Sequence, residues 1–215
     1  MRTFDEEQLN RLHMQMICMG SMCEKAISDA TKALTEGSGE LAQQVIDGDA
    51  KINRQEREIE NLCMKLLLHQ QPVAGDMRRI SAALKMVTDM ERIGDQAADI
   101  AEIVKCMNHK LPDSFLHICK MGAAAMKMVT ESMNAYVDRD LCLAERVIAE
   151  DDQVDSLFLK IRGEILEEIR ADHTKGEDAL DLFTITKYYE RIGDHATNIA
   201  EWVRYSITGS RIEEV

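Results

Sequence analysis

Apolar residues recur three and four positions apart along most of the chain, and short polar segments interrupt this pattern at five places. That spacing puts the apolar side chains on one face of an α-helix, whereas a half-buried strand would alternate at every second residue. Glycine or proline stands in most of the interruptions, as expected for turns. The pattern predicts six long helices, at 5–36, 39–70, 74–107, 113–137, 140–171 and 177–207. Long helices joined by short turns pack as antiparallel bundles, so the predicted fold class is all-α.

The second half of the chain repeats the first. Three pairs of segments carry the match: Met-Gly at 19–20 and 121–122, LAQQVIDGDAKIN at 41–53 and LAERVIAEDDQVD at 143–155, and ERIGDQAADIAEIV at 91–104 and ERIGDHATNIAEWV at 190–203. The first two pairs are 102 residues apart and the third is 99 residues apart. This internal duplication predicts two tandem, structurally similar three-helix bundles, the first in residues 1–110 and the second in residues 111–215.

Composition agrees with helices and narrows the range of partners. Aromatic residues make up only 4% of the 215 residues, whereas there are 14 methionines and two prolines, and strands favour aromatic side chains more than helices do. The formal net charge of -13 repels nucleic acids, so we expect no nucleic-acid partner. The opening MRTFDEEQ is unlike a signal peptide, and no apolar run exceeds four residues. We therefore expect a cytoplasmic protein without direct membrane insertion.

The six cysteines form no Cys-x-x-Cys pair and have no spacing typical of a zinc site. We expect them to be reduced, buried thiols that fill the core. The chain also lacks a phosphate-binding Gly-x-x-x-x-Gly-Lys-Ser/Thr loop, a Gly-x-Ser-x-Gly elbow and the Glu-x-x-His pairs of ferritin-like di-iron proteins. These motifs give no support to an enzyme, and we predict that the protein is not one.

Acidic residues lie on the face of the third helix that is opposite its apolar face. These are Glu91, Asp95, Asp99 and Glu102, and the sixth helix repeats the arrangement with Glu190, Asp194 and Glu201. Like charges four residues apart destabilise a helix by about 0.2–0.5 kcal/mol per pair, a cost that a bound cation would remove. Oxygen-only clusters favour hard cations. The alternative is that these acids form an ordinary solvated face.

The second and fifth helices add candidate ligands in the same register. Asp49 and Asn53 stand four residues apart in the first repeat, and Asp151 and Asp155 do so in the second. They would join the other acids only if the bundle brings the two faces together. Their alternative is again an ordinary surface role.

Three further features have two interpretations each. Gly94 and Gly193 sit inside helices at a cost of about 1 kcal/mol relative to alanine, which indicates close approach of a neighbouring helix more than a role at a metal. His195 is expected to be a partly exposed histidine and not a ligand. Arg78 and Arg79 form a small basic spot that either contacts a partner or is solvated.

Taken together, the motifs resemble the PhoU family, the phosphate-specific transport system accessory proteins of bacteria. The resemblance is carried by the two ERIGD segments, the QQPVAGDMRRI turn at 70–80, the Met-Gly near residue 19, the VIDGDAKIN stretch and the duplication, and it spans about residues 3–208. It implies two three-helix bundles, often dimeric. It also implies a regulator that links the phosphate ABC transporter to a sensor histidine kinase and keeps phosphate-starvation genes off when phosphate is plentiful.

The resemblance also implies metal binding through Glu/Asp-x-x-x-Asp motifs, with iron, zinc, magnesium or manganese as the cofactor. The motifs fall on Glu91 with Asp95, Glu190 with Asp194, and Asp151 with Asp155. Asn53 in the first repeat and Lys187 and Asn198 in the second depart from the pattern, so the two repeats are expected to bind metal unequally.

Two alternatives to the regulator stay open at this stage. One is a metal-binding or metal-sensing helical protein that has the same fold. The other is an accessory subunit of a different phosphate permease.

Overall fold

The computed structural model describes residues 2–69, 72–107, 111–112 and 115–210. The six helices are α1 (Arg2–Glu36), α2 (Gly39–His69), α3 (Ala74–Met107), α4 (Leu116–Asp138), α5 (Leu141–Ala171) and α6 (Gly176–Thr208). A 3₁₀ turn at His173–Lys175 precedes α6, and the described part of the chain contains no strand. The all-α prediction is confirmed. Across those same ranges, no helix is long and apolar enough to cross a membrane.

Predicted and observed helix ends differ by a few residues. The first helix begins at Arg2 instead of residue 5, and the fifth begins at Leu141 instead of 140. The predicted end of the second helix at residue 70 and the predicted start of the fourth at 113 lie outside the described residues.

The turn between the first two helices of each repeat has the same construction. Gly37 ends α1 with φ 65°, and Arg139 ends α4 with φ 53°, both in the left-handed region. The next residue caps the following helix: Ser38 Oγ accepts from the Leu41 N–H at 3.2 Å, and Asp140 Oδ1 accepts from the Leu143 N–H at 3.0 Å. The duplication in the sequence is therefore visible in the backbone.

One apolar core runs through both repeats. On α3 the residues of the apolar face opposite the acids are all buried: Met86, Met90, Ile93, Ala97, Ile100 and Val104. Within each repeat the three helices pack on one another, and α3 packs on α6 as extensively as on α2, while α1 packs on α4. The two bundles thus share a continuous core, and a domain boundary at 110/111 stays a prediction.

The α3–α6 contact is antiparallel and carries buried polar groups. Asp89 Oδ1 lies 2.9 Å from His195 Nδ1 and accepts from the Asn198 side chain at 3.2 Å, while Asp99 bonds to Tyr188 further along. The expectation of a partly exposed histidine is wrong, because His195 is only 7% exposed. Helix periodicity located its face on α6 but could not show that α3 covers this face.

Gly94 and Gly193 are sites of close helix approach, as predicted. A Cβ added to Gly94 would lie 2.9 Å from Ile52 Cδ1 of α2, and one added to Gly193 would lie 3.3 Å from Val154 Cγ1 of α5. The absence of a side chain lets α2 pack closely on α3, and α5 on α6. This approach brings the polar residues of α2 and α5 beside the acids of α3 and α6.

The prediction that all the cysteines are buried is wrong for half of them. Cys23 and Cys63 are buried and Cys119 is partly buried, but Cys18, Cys106 and Cys142 are exposed. All six are free thiols. The exposure of a cysteine depends on which way its helix face turns in the bundle, which the count and spacing of cysteines could not reveal.

Candidate functional site

The closely packed α2 and α3 gather one group of carboxylates, which we call the first acidic cluster: Asp49 and Glu56 of α2 with Glu91, Asp95 and Asp99 of α3. Asp49 feels the charges of both Asp95 and Asp99, so the two helices direct these acids into a common groove. The α2 acids were expected to join those of α3 only if the bundle brought the two helix faces together, and the faces do meet. The α3 acids are half-buried instead of fully solvated.

Electrostatics in the first acidic cluster oppose ionisation. Desolvation raises the pKa of Glu91 to about 7, and the charge of Asp95 adds to this effect. Glu56 and Asp49 contribute further in the same direction. Desolvation also raises the pKa of Asp49, Asp95 and Asp99, with neighbouring carboxylates adding to the shift of Asp49 and Asp99. The positive charges of Arg92 and Arg57 oppose these shifts but do not cancel them, so the cluster keeps an excess of negative charge.

The α2 side of this groove also carries oxygen atoms without a protein partner. Asn53 Nδ2 donates to Asp49 Oδ2 at 2.8 Å, which leaves Asp49 Oδ1 and Asn53 Oδ1 buried and without a hydrogen bond from the protein. A buried oxygen without a partner is unfavourable, and a cation or a water molecule would satisfy it. Asn53 thus supplies an amide oxygen where a second carboxylate was expected.

Glu56 is a member of the first acidic cluster that the sequence analysis missed. It lies seven residues after Asp49, two helical turns along the same face of α2, but the spacing does not by itself show that this face meets α3. Its pKa is raised by desolvation first, then by Glu60, and the charge of Asp95 contributes too. Glu56 interacts electrostatically with both Asp95 and Glu91, so it extends the negative groove along α3 between these two residues.

A second acidic cluster stands at the equivalent place between α5 and α6, and comprises Asp151, Asp155, Glu190 and Asp194. Desolvation raises the pKa of Asp194, followed by the charges of Glu190 and Asp151. The pKa of Asp151 is raised by desolvation and then by Asp155. All four predicted acids of this repeat are thus electrostatic neighbours.

A lysine partly neutralises the second acidic cluster. Lys187 Nζ forms an ion pair with Glu190 at 2.5 Å and lies 5.4 Å from the centre of the Phe158 ring. Its positive charge also opposes the rise in the pKa of Asp194 that desolvation and the neighbouring carboxylates cause. Phe158 occupies the position that corresponds to Glu56, 102 residues earlier, so this cluster has one acid fewer, and Lys187 stands where the first repeat has Thr88.

Two of the candidate positions belong partly to the interface between repeats. Asp99 bonds to Tyr188 and lies near Arg191 of α6, both of which lower its pKa against the raising effect of desolvation. Its counterpart Asn198 donates to Asp89 of α3. Asp99 therefore lies on the side of the first acidic cluster that faces α6. Asn198 bonds to α3 and is turned away from the second acidic cluster.

The donor groups suit a hard cation, although they are not assembled around one. In the described part of the chain, no three His, Cys, Asp or Glu side chains converge closely enough to hold a single metal ion. The oxygen-only composition and the unpartnered oxygens of Asp49 and Asn53 fit magnesium, manganese or iron better than a thiolate-seeking metal.

The chain is similar to known proteins along nearly its whole length. The family model described as the PhoU domain matches twice, at residues 16–104 and 118–203. The phosphate-specific transport system accessory protein PhoU homologue of Clostridium acetobutylicum is 40% identical over 99% of this chain and 98% of its own length. The homologue with the same description from Pseudomonas aeruginosa is 34% identical over 97% of this chain and 87% of its own length.

Solved structures show the same architecture. The crystal structure of PhoU from Pseudomonas aeruginosa superimposes with a TM-score of 0.91 at 34% identity, covering 95% of this chain and 99% of that one. The phosphate transport system regulatory protein PhoU from Streptococcus pneumoniae matches in fold, with a TM-score of 0.89 at 24% identity over 98% of this chain and 100% of that one. The chain consists of two tandem three-helix units, and the PhoU family model matches each of them. Its relatives align with it over nearly their whole length. The chain therefore belongs to the PhoU family.

Proposed function

We propose that this chain regulates phosphate uptake and phosphate-starvation signalling in the cytoplasm. In this role it contacts the ATPase of a phosphate ABC transporter and a sensor histidine kinase, and it keeps phosphate-starvation genes off when phosphate is abundant. The observation that carries the proposal is the 40% identity, along 99% of the chain, to a phosphate-specific transport system accessory protein. A protein that acts by contact and not by catalysis also agrees with the motif analysis.

Deletion of the gene in its host tests this proposal. We expect alkaline phosphatase and transporter expression to rise in high-phosphate medium, and complementation with the intact gene to restore repression. Unchanged expression in high phosphate would contradict the regulatory role. Gene neighbourhood separates the remaining alternative, since an accessory subunit of another permease is expected to lie beside that permease.

Pull-downs test the partners separately. The cytoplasmic portion of the kinase and the transporter ATPase are each immobilised and exposed to the full chain, with and without a divalent cation. Retention by both supports an adaptor, whereas retention by neither argues against it. Light scattering of the purified chain tests the homodimer that the family resemblance implies.

A second proposal is that the first acidic cluster binds a divalent or multinuclear metal. Asp49, Asn53, Glu91 and Asp95 would hold it, and the cation would supply positive charge that neutralises the groove. The supporting observation is the raised pKa of Glu91, about 7, beside the unpartnered oxygens of Asp49 and Asn53. The second acidic cluster would bind more weakly because Lys187 already pairs with Glu190.

Metal content of protein purified without chelator tests this second proposal. The double variant Glu91→Gln with Asp95→Asn should lose metal relative to the wild type. The matched control Asp47→Asn with Glu58→Gln removes the same charge from exposed positions of α2 and should retain it. Equal metal content in all three proteins, or no metal in any even after incubation with manganese, would exclude this site.

A further inference from the structure

A second concave site lies at one end of the bundle, away from both acidic clusters. A cavity of about 220 Å³ opens where the beginnings of α1 and α3 meet the ends of α4 and α6. We call it the end cavity. Its polar lining consists of Asn10, His13, Arg79, Tyr136, Arg139 and Ser206. Leu9, Leu12 and Val137 form its apolar wall.

The end cavity is rich in hydrogen-bond donors on a strongly acidic protein. Two arginines and a histidine face it, and none of the described lining residues is acidic. Asp76 pairs with Arg79 only loosely, at 3.9 Å, so most of the Arg79 guanidinium remains available. This local charge is opposite in sign to the net charge of -13 of the whole chain.

Arg79 lies near Tyr136, an aromatic residue that lines the end cavity. Burial raises the pKa of Tyr136 to about 12, and the positive charge of Arg79 opposes this rise, which places the guanidinium near the phenol. The ring of His13 packs on that of Tyr136 with centroids 5.3 Å apart. Packing thus limits the freedom of His13 and holds it at the cavity wall.

Arg139 occupies a backbone position that does not favour an arginine. It has φ 53° and ψ 41° at the end of α4, where the equivalent residue of the first repeat is Gly37 with φ 65°. Glycine adopts this left-handed conformation freely, whereas a side chain with a Cβ is disfavoured there. Arg139 adopts this unfavourable conformation while its side chain lines the end cavity, which indicates a use for that side chain.

Comparison of the repeats shows that these cations are specific to one end of the molecule. The positions that correspond to Arg78 and Arg79, 99 residues later, are Glu177 and Asp178. The position that corresponds to His13, 102 residues later, is Phe115. Duplication alone would give both ends the same charge. The basic end therefore arose by divergence of one repeat from the other.

We propose that the end cavity binds a small phosphate-type oxyanion, held by the guanidinium groups of Arg79 and Arg139. A guanidinium donates two parallel N–H bonds to such an anion, which gives strong and directional contacts. His13, Asn10 and Ser206 supply further donors at the cavity wall. At physiological salt the distant acidic clusters are screened over about 8 Å, so they leave the local positive potential in place. This proposal is independent of the proposed function.

Isothermal titration of the full chain with inorganic phosphate, at constant ionic strength maintained with potassium chloride, tests the proposal. We expect saturable binding to the wild type. Loss of one charge-assisted contact should weaken binding by about tenfold to a hundredfold in Arg79→Gln and in Arg139→Gly. Arg139→Gly inserts the residue that the other repeat uses, so this variant should fold at least as stably as the wild type and its loss of binding cannot arise from unfolding.

The matched control is Arg170→Gln, which removes one exposed arginine from the far end of α5. It should bind phosphate like the wild type. Titration with sulfate and with adenosine monophosphate defines the ligand class: sulfate presents the same tetrahedral oxygens and should compete with phosphate, whereas the nucleotide should compete weakly or not at all because a cavity of about 220 Å³ has little room for its adenosine group. Absence of saturable phosphate binding, binding unchanged in Arg79→Gln and Arg139→Gly, or binding of the nucleotide alone would each overturn the proposal.

Discussion

The two repeats have the same three-helix backbone but different polar chemistry at equivalent positions. Between α2 and α3, five carboxylates share a groove with no lysine among them. Between α5 and α6, Phe158 replaces one acid and Lys187 pairs with another. A duplicated fold keeps the apolar contacts that hold it together, and the polar faces diverge because their stability cost is small. The first repeat thus keeps the larger number of neighbouring carboxylates, with Arg57 and Arg92 as the cations that act on them.

The largest expected difference between the repeats concerns the glycines of the two Met-Gly pairs. A Cβ at Gly122 would lie 2.9 Å from the buried Tyr189 ring, whose hydroxyl is 2.7 Å from Thr31 Oγ1. Gly122→Ala should therefore lower the free energy of unfolding by about 1–3 kcal/mol. A Cβ at Gly20 meets only Met133, at 3.0 Å, and methionine adjusts easily.

Gly20→Ala is the matched variant for this prediction. It should cost little, because relief of the helical glycine contributes about 1 kcal/mol in its favour. Urea denaturation of the two variants measures the difference. Equal stabilities would mean that the Tyr189 ring moves as readily as the Met133 side chain, contrary to the packing described.

The second prediction compares His195 with its counterpart Gln96 across the α3–α6 interface. His195→Ala removes the shorter of the two hydrogen bonds described for buried Asp89 and should lower the free energy of unfolding by about 1–3 kcal/mol. Gln96→Ala should cost less, since Gln96 Oε1 has no hydrogen-bond partner to lose. Thermal unfolding of both variants at neutral pH checks the order, and the reverse order would refute the role assigned to Asp89.

The third prediction compares the glutamates that begin the two ERIGD segments. The pKa of Glu91 is raised to about 7, so its ionised form destabilises the fold above that pH, and this penalty disappears as pH falls below the ordinary value of 4.5. Glu91→Gln should therefore stabilise the metal-free protein at pH 8 and have no effect near pH 4. Solvent screening limits the gain to about 1 kcal/mol, or about 2–4 °C in Tm.

Glu190→Gln should act in the opposite direction, because it removes the ion-pair partner of Lys187. Thermal unfolding between pH 4 and pH 8, in the presence of a chelator, measures both variants. Stabilisation by both or by neither would show that Lys187 does not distinguish the two clusters.

The smallest expected effect is that of Lys187→Met, which removes the cation from the second acidic cluster. Partly exposed ion pairs of this kind contribute about 0.2–1 kcal/mol, so Tm at pH 8 should fall slightly. Added manganese should then restore more stability to this variant than to the control Lys160→Met, which lies on the exposed face of α5. An equal response to manganese would mean that Lys187 does not compete with a cation.

Much of the first acidic cluster could be predicted from residue spacing, and parts of it could not. The acids of α3 stand opposite the apolar face, a property of one helix that periodicity reports directly. Whether Asp49 joins them depends on how α2 is rotated against α3, which the contact between Gly94 and Ile52 settles. Glu56 escaped notice because its spacing from Asp49 acquires meaning only once that rotation is known.

His195 illustrates the opposite case, in which a local pattern misled. Its position off both the acidic and the apolar faces of α6 predicted partial exposure, but α3 packs on that side. The end cavity is a similar case, because its lining comes from four helices and its residues lie up to about 200 positions apart in the chain. Such assemblies leave no short-range signal in a sequence.

By itself, the order of amino acids determined the six helices, their duplication and the face on which each carries acids, because helix formation and amphipathicity depend on neighbours within about four residues. Only the tertiary structure decided which faces meet: α2 against α3 at Gly94, α3 against α6 at Asp89 and His195, and four helix ends around Arg79 and Arg139. Those contacts join residues that are far apart in the chain, and the packing of the whole core selects them.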